Sequence, residues 1–373
     1  MDAADIPSRF FLARFGVEPP LPIRFQLAVP LGCEAVRVDP PSKGAAEPSL
    51  LLARFRAASR PGIDIDVSMT VLPREIHTGD FAELLATASG DKVVQRRDWE
   101  HTQGCQAELF AEFERLGEKW VRRSRVVKDG QYVFCVDAMA PKPAFAKFAK
   151  DCAHLVMSFR LLSAENRPYA EGLKELSGDS PCRFSFRYPE TWKLARTAID
   201  SHRAVFALNN SQRDTLDGTL TLEIHQRRPD YPLARYARAY ATSLRDAGFR
   251  LNGAPVLSTS APAGFDAAYV FTPPTTKDGL EVTAGAVLME QGTAVTILGI
   301  VGASRESSPW AWAINKRAFE IVRDSLVLGA PVPAPDSCLT LTTRSAPSFP
   351  TTEPSAPTVA PGARKKPLDA GSY

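Results

Sequence analysis

Two stretches of the chain repeat one pattern of apolar and polar positions. Residues 24–30 read RFQLAVP and residues 183–189 read RFSFRYP. In both, every second position is apolar, which is typical of a strand with one buried face. Each stretch then reaches a proline, which cannot donate a hydrogen bond to a sheet ladder. The recurrence of strand and stop predicts an internal duplication.

The pattern after the first of these strands predicts one complete α+β unit. Runs rich in Val, Ile and Leu, separated by Pro- and Gly-containing turns, favour a strand meander, and two stretches have helical spacing. The predicted strands span 24–30, 34–38, 49–56, 63–72, 93–100, 107–113, 120–127 and 132–138, with helices at 81–86 and 143–162. The pair Asp129-Gly130 predicts a two-residue hairpin turn.

The second half predicts the same order of elements. Its predicted strands span 183–188, 194–199, 204–209, 218–226, 256–260, 267–271, 280–289 and 293–301, with helices at 232–247 and 309–328. Ser308 is a candidate N-cap and Pro309 suits the first turn of the last helix. Short motifs that match between the two halves occur in the same order in both, as expected if the copies differ by small loop insertions.

These patterns divide the chain into five segments. We predict an N-terminal arm at 1–19, a first unit at 20–163, a polar connector at 164–180, a second unit at 181–329 and a tail at 330–373. The tail is rich in Pro, Ser and Thr, so it buries too little apolar surface to offset its chain entropy and is predicted to be disordered.

Composition and charge narrow the class of protein. A chain of 373 residues exceeds the usual size of one core, and a hydrophobic fraction of 44% suffices for two. A net charge of +3 argues against nucleic-acid binding. An acidic N-terminus, apolar runs about half as long as a bilayer span and six cysteines without a CxxC pair predict a cytoplasmic protein with reduced thiols and no stable membrane insertion.

Few residues suggest catalysis or metal binding. The five histidines have no metal-ligand spacing, and no phosphate-binding glycine loop or GxSxG motif is present, so we predict no catalytic residue, metal site or cofactor. Asp64, Asp66 and Ser68 could ligate a cation, but their alternation with apolar residues favours a polar outer face. Arg122 is predicted to lie opposite Asp137 across the first hairpin as a cross-strand charge pair.

The two predicted long hairpins differ on one face. In the second unit this face is smooth and apolar, whereas in the first it carries charge. The second-unit face consists of Ala284, Ala286, Leu288, Val295, Ile297 and Gly299. The first-unit face consists of Arg122, Ser124, Val126, Val133, Cys135 and Asp137. The apolar face is either covered by the closing helix or the other copy, or open as a partner-binding groove for an apolar helix.

The opening and closing motifs resemble those of a known superfamily. The first is Phe-x-Phe-x-Tyr-Pro-x-x-Trp, from Phe184 to Trp192, and the second is carried by Trp312, Asn315, Phe319, Val322, Ser325 and Leu326. Both resemble the PsbP-like superfamily, which includes bacterial DcrB-like proteins. The match is weaker in the first half, where Cys33 stands in the place of Trp192 and no Asn matches Asn315.

The resemblance implies two tandem PsbP-like units, each an antiparallel sheet with packed helices. Members of the superfamily act mostly by binding, and the Eag-type chaperones of bacterial type VI secretion hold apolar N-terminal helices of effectors. It therefore implies a non-catalytic protein-binding module, a chaperone or adaptor for an apolar segment of such an effector. The alternatives are an assembly scaffold that recruits a partner through its tail and an enzyme with an unrecognised site.

Overall fold

The computed structural model describes residues 6–17, 23–38, 49–59, 61–101, 104–212, 215–251, 253–271, 275–277, 280–329 and 342–345. The elements of the first half are α1 (Ile6–Arg9), β1 (Phe10–Val17), β2 (Ile23–Pro30), β3 (Cys33–Val36), β4 (Ser49–Ala57), β5 (Asp64–Val71), α2 (Thr78–Ala88), β6 (Lys92–His101), β7 (Gly104–Arg115), β8 (Glu118–Asp129), β9 (Tyr132–Pro141), α3 (Lys142–Ser158) and β10 (Arg160–Leu161).

The second half repeats this series with small additions. Its elements are β11 (Leu173–Gly178), β12 (Phe184–Pro189), β13 (Lys193–Ile199), β14 (Arg203–Gln212), β15 (Thr215–Gln226), α4 (Leu233–Asp246), β16 (Phe249–Arg250), β17 (Val256–Leu257), β18 (Ala267–Phe271), β19 (Thr275–Lys277), β20 (Leu280–Gln291), β21 (Ala294–Ala303), α5 (Pro309–Ser325), β22 (Val327–Leu328) and β23 (Thr342–Ser345).

The two halves share one sheet topology. In the first unit the large antiparallel sheet has the order β3-β4-β5-β9-β8-β7-β6, and in the second β13-β14-β15-β21-β20-β18-β17, with β16 and β19 attached at one side. A small sheet accompanies each: β1-β2-β10 in the first unit and β22-β12-β11-β23 in the second. The predicted α+β fold of two similar antiparallel units is confirmed.

The opening strand and closing helix are joined by the same hydrogen bond in both units. The backbone N–H of Ala28 donates to Ser158 Oγ at 2.8 Å, and that of Arg187 donates to Ser325 Oγ, also at 2.8 Å. Both serines stand in the last turn of their closing helix. A shared topology with a shared side-chain contact is what a tandem duplication produces.

Each large sheet has a helix on both faces. In the first unit, α3 packs on one face through Leu155 and Val156, while α2 packs on the opposite face through Phe81 and Leu84. In the second unit, α5 and α4 occupy the corresponding faces. Alternation of side chains along the strands explains this arrangement, because neighbouring residues such as Val126 and Val127 supply different cores.

The structure adds strands to three segments outside the predicted units. Strand β1 lies in the predicted arm and β11 begins in the predicted connector, and each pairs with the opening strand of its unit. Within the predicted tail, Thr342–Ser345 forms β23 and pairs with β11, so disorder is wrong for these four residues. The remainder of the tail lies outside the described residues.

The first long hairpin is shifted from its predicted register. Asp129 pairs with Tyr132, which makes Gly130 and Gln131 the turn. The predicted pairing of Arg122 with Asp137 is therefore wrong: Arg122 lies opposite Met139, and Ser124 lies opposite Asp137. A glycine with positive φ opens both turns, at 59° for Gly130 and 54° for Gly292, a backbone conformation that favours glycine.

Among the described residues, no helix has both the length and the apolar character that crossing a membrane would require.

Candidate functional site

The predicted apolar face lies beneath helix α4. Ala286, Leu288, Val295 and Ile297 belong to one core with residues of α4, and each is less than a tenth exposed. Ala284 is also buried, and a Cβ atom at Gly299 would collide with the Tyr240 hydroxyl. The expected cover, the closing helix or the other copy, is therefore wrong: helix α4 of the same unit covers this face. A partner-binding role for these six residues stays a prediction.

An open groove lies mainly on the opposite face of the same hairpin. It runs between α5 and strands β18 and β20, has a volume of about 390 Å³ and is predominantly apolar. That volume is within the range of pockets that hold ligands or side chains of a partner. The groove is lined by Ser258, Ser260, Pro262, Ala268, Val270, Phe271, Thr283, Gly285, Ala286, Val287, Ile300, Gly302, Ala303, Trp312, Asn315, Lys316, Phe319 and Arg323.

Small residues of the hairpin keep the groove open. Gly285 lies opposite Ile300 on the neighbouring strand, and an added Cβ at Gly285 would meet only Ile300 at 3.6 Å. Gly302 lies at the other side of the floor, where a Cβ would collide with Asn315. Glycine in a strand often marks a place where another chain approaches closely, because no side chain covers the backbone.

The equivalent place in the first unit is filled. The register of the two hairpins aligns Arg123 with Gly285 and Arg125 with Val287. The Arg123 guanidinium donates to Glu108 at 2.6 Å and lies over the Phe110 ring, 4.9 Å from its centroid. Long, paired side chains therefore occupy the space that is open in the second unit.

Arg125 closes the first unit most firmly. Its side chain is buried and donates to Gln106 Oε1 at 2.6 Å and to the Met157 carbonyl at 2.7 Å, with longer bonds to Val156 and Phe159. These carbonyls lie at the C-terminal end of α3, where unpaired backbone oxygens and the helix dipole favour a cation. Burial lowers the pKa of Arg125 from its ordinary value.

Polar groups on the rim of the groove already have partners. Asn315 donates from Nδ2 to the Asp217 carbonyl at 2.8 Å and accepts from Asn210 at 2.8 Å. Lys316 donates to Asp80 at 2.6 Å, and Arg323 donates to Asp324 at 2.7 Å. Carboxylates therefore neutralise the charges of Lys316 and Arg323 on the rim, whereas the floor offers mostly apolar contact.

The two units pack against each other beside this groove. Glu75 of the first unit is 1% exposed and accepts from Lys128 at 2.5 Å and from Arg317 of α5 at 3.1 Å. The backbone N–H of Ala170 donates to the second oxygen of Glu75 at 2.6 Å. A buried carboxylate needs such partners, because its desolvation is otherwise very costly. The cluster fixes α5, and with it one wall of the groove.

A second ion pair at this junction fixes α2 against α5. Burial raises the pKa of Asp80, but hydrogen bonds and charge from Lys316 and Arg96 outweigh it and hold the pKa below its ordinary value. Lys316 of α5 lies 2.6 Å from the Asp80 carboxylate, and the Arg96 guanidinium of β6 lies 2.8 Å from it. These are structural ion pairs, since every charged group in them has an opposite charge at contact distance.

Asp64 and Asp66, the carboxylates that could have bound a metal cation, form ion pairs with arginines instead. Asp64 is fully buried and accepts from Arg115 at 2.8 Å, and Asp66 accepts from Arg54 at 2.9 Å. Ser68 lies opposite Cys135 on the next strand. In the described ranges, no group of three or more His, Cys, Asp or Glu side chains is placed to hold a metal ion.

The groove was missed by sequence reasoning, which compared the other face of the hairpins. Its signal was present in the sequence: Gly285 and Val287 replace Arg123 and Arg125 in the same register. The helix that closes the predicted face was harder to identify as a cover, because its buried positions include two alanines, Ala237 and Ala241.

No family model and no curated protein matches the sequence. Solved structures show distant similarity. The solution structure of cyanobacterial PsbP from Synechocystis sp. PCC 6803 is 14% identical, with a TM-score of 0.30, over 40% of this chain and 92% of that chain. The apo immunity protein TplEi of the type VI secretion system of Pseudomonas aeruginosa is 10% identical, with a TM-score of 0.23, over 86% of this chain and 97% of that chain.

A second structure of TplEi is similar to the same extent. Complexed with "L" peptide, it is 9% identical to this chain, with a TM-score of 0.22, over 87% of this chain and 99% of that chain. Identities and TM-scores as low as these record a distant likeness and do not assign a function.

Proposed function

We propose that this protein is a non-catalytic, cytoplasmic protein-binding module, a chaperone or adaptor that holds an apolar segment of a type VI secretion effector. The observation that supports the proposal is the groove beside α5, which is open and apolar in the second unit and filled by Arg123 and Arg125 in the first. The effector as partner follows the resemblance of the opening and closing motifs to those of DcrB-like proteins.

The physical basis is burial of apolar surface. A partner helix that places Leu or Phe side chains over Gly285 and Val287 would remove both surfaces from water, at about 25 cal/mol for each Å² of apolar area. The small residues of the floor allow the partner backbone to come close. Lys316 and Arg323 on the rim are already paired with Asp80 and Asp324, so apolar contact with the floor contributes most to binding.

A charge placed in the groove tests the proposal. Val270 lines the groove and is 42% exposed, so Val270→Arg disturbs little of the core. Val94 of the first unit is 59% exposed and also lies on a strand, so Val94→Arg is the matched control. The immobilised full chain captures partners from the producing cell, mass spectrometry identifies them, and titration with the captured partner gives each dissociation constant.

The expected result is an effector that binds the original chain and Val94→Arg equally and binds Val270→Arg at least about tenfold more weakly, a loss of about 1.4 kcal/mol. Equal binding to all three chains would overturn the groove as the site. Loss of binding on removal of residues 346–373 alone would favour the scaffold alternative. Circular dichroism should show that all variants remain folded.

A further inference from the structure

Helix α2 of the first unit is covered on both sides. One face packs on the sheet through Leu84, and the other receives α5 of the second unit. There Phe81 meets the Trp310 ring edge to face, with centroids 5.8 Å apart. Asp80 and Glu83 accept from basic residues of the second unit, at 2.6 Å from Lys316 and 2.5 Å from Arg305 respectively.

Helix α4 occupies the same place in the second unit but is covered on one side only. Both helices follow the third strand of their large sheet and pack over equivalent hairpin positions, Val126 and Val133 under α2 and Leu288 and Val295 under α4. The register of the two hairpins makes these positions equivalent. The outer face of α4 is therefore the counterpart of a face that is already an interface in the first unit.

The outer face of α4 is basic. It exposes three arginines, Arg235, Arg238 and Arg245, and one carboxylate, Asp246 at the C-terminal end of the helix, so its net charge is positive. Arg235 stacks over the Tyr231 ring, 4.8 Å from its centroid, and Arg238 donates to the Ala234 carbonyl at 3.3 Å. Within the described part of the chain, none of the three arginines forms an ion pair with a carboxylate, whereas Asp80 and Glu83 of α2 are both paired.

We propose that this arginine face of α4 docks an acidic amphipathic helix of a protein partner. The first unit supplies the precedent, since an outer helix face there binds a second helix through paired charges beside an apolar contact. In the second unit the sign is reversed, so the complementary helix carries Glu or Asp. Tyr231, held against Arg235, offers the apolar contact next to the charges.

A second copy of this chain does not fit the same face. The helix equivalent to α5 in the first unit is α3, which exposes Lys147 and Lys150. Docking α3 of one molecule on α4 of another would bring like charges together, which costs free energy. Helix α5 is engaged within its own chain. The charges thus favour a different protein with an acidic helix.

A designed peptide is the probe. It is a fluorescein-labelled peptide of about 16 residues made of Glu-Ala-Ala-Leu repeats, titrated with the full chain at low and moderate salt and followed by fluorescence anisotropy. The test variant is Arg235→Glu with Arg238→Glu and Arg245→Glu. The matched control reverses the same number of exposed arginines elsewhere, as Arg24→Glu, Arg160→Glu and Arg196→Glu.

The expected result is a dissociation constant that rises at least tenfold in the test variant and less than twofold in the control. Binding should also weaken with salt, because exposed charges are screened. Equal loss in both variants would overturn the proposal, because net charge alone would explain it. Equal binding of a peptide with the same composition in shuffled order would also overturn it.

Three further outcomes would overturn the proposal in favour of another occupant. Loss of peptide binding in Val270→Arg would place the peptide in the groove beside α5, independently of whether an effector binds there. Tighter binding of a DNA duplex of similar length would assign the face to nucleic acid. A dimer of the original chain that the test variant dissociates, measured by light scattering, would assign it to self-association.

Discussion

The two long hairpins have the same backbone topology, but the side that faces the closing helix is filled by side chains in the first unit and open in the second. In the first unit Arg123 and Arg125 fill that side and bind Glu108 and Gln106. In the second unit Gly285 and Val287 leave it open. The topology, the turn glycine and the serine of the closing helix are the same in both. The fold therefore accommodates long, paired side chains at this place in one copy and an open groove in the other.

Removal of the filling residue should have the largest effect. Arg125→Ala takes a buried guanidinium from Gln106 and from the carbonyls at the end of α3, so we expect the free energy of unfolding to fall by about 3 kcal/mol. Val287→Ala at the equivalent place shortens a side chain that borders an open groove, and should cost about 1 kcal/mol. Urea denaturation of the full chain followed by circular dichroism measures both.

Similar losses for the two variants would contradict this contrast. They would mean that the arginine contributes no more than an aliphatic side chain, and that the first unit is not held closed by it.

The shared serine should have an intermediate effect, equal in the two units. Ser158→Ala and Ser325→Ala each leave a backbone N–H of the opening strand without its acceptor, which costs about 1 kcal/mol. Both are measured by thermal unfolding, and the double variant is expected to show the sum, because the two serines lie in different units and share no hydrogen-bond partner. Unequal losses of stability would show that, in one unit, contacts other than this serine hold the opening strand to the closing helix.

Acid should affect the first unit through the start of α2. His77 Nδ1 accepts from the Gly79 N–H at 3.2 Å, and burial lowers the pKa of His77 below 6.5, although Asp80, Glu320 and Asp98 oppose that shift. Because the folded pKa lies below the unfolded one, this contribution to stability is present above pH 6.5 and is lost as the pH falls below it.

The measurement is the melting temperature of the original chain and of His77→Asn at pH values of about 7.5 and 5.5. Asn keeps an N-cap acceptor that does not titrate in this range, so its melting temperature should fall less on acidification. The second unit has no equivalent group, since Pro232 precedes α4 and makes no side-chain cap. Parallel decreases in the two proteins would exclude His77 as the titrating group.

Much of the fold was predictable because the signals are local. Strand alternation, the turn glycine at Gly130 and helical spacing place most strands and four of the five helices of the described residues near their observed bounds. Ser308 is the N-cap residue of α5, as expected, although its side chain makes no cap hydrogen bond. The duplicated order followed from the repeated opening strand at Phe25 and Phe184.

The rest depends on pairing between distant residues. Strand β11 has the sequence of a polar connector because only Leu173 and Leu176 in it are buried. It is a strand because it pairs with β12 and β23, and no local pattern shows that pairing. The hairpin register depends on which two residues form the turn, and a one-residue change there moved Asp137 from Arg122 to Ser124. Which helix packs over Ala286 depends on tertiary contacts that the sequence does not show. The helix is α4, and small residues of it make the contact.

The two glycines of the groove floor differ in how freely they can vary. Gly302 lies under Asn315, which holds Asn210 and the Asp217 carbonyl, so any side chain at Gly302 would displace a buried hydrogen-bonding amide. Gly285 meets only a methyl group at ordinary contact distance. Substitutions at Gly285 alone could therefore change the width of the groove, one methyl group at a time, without a change in the sheet.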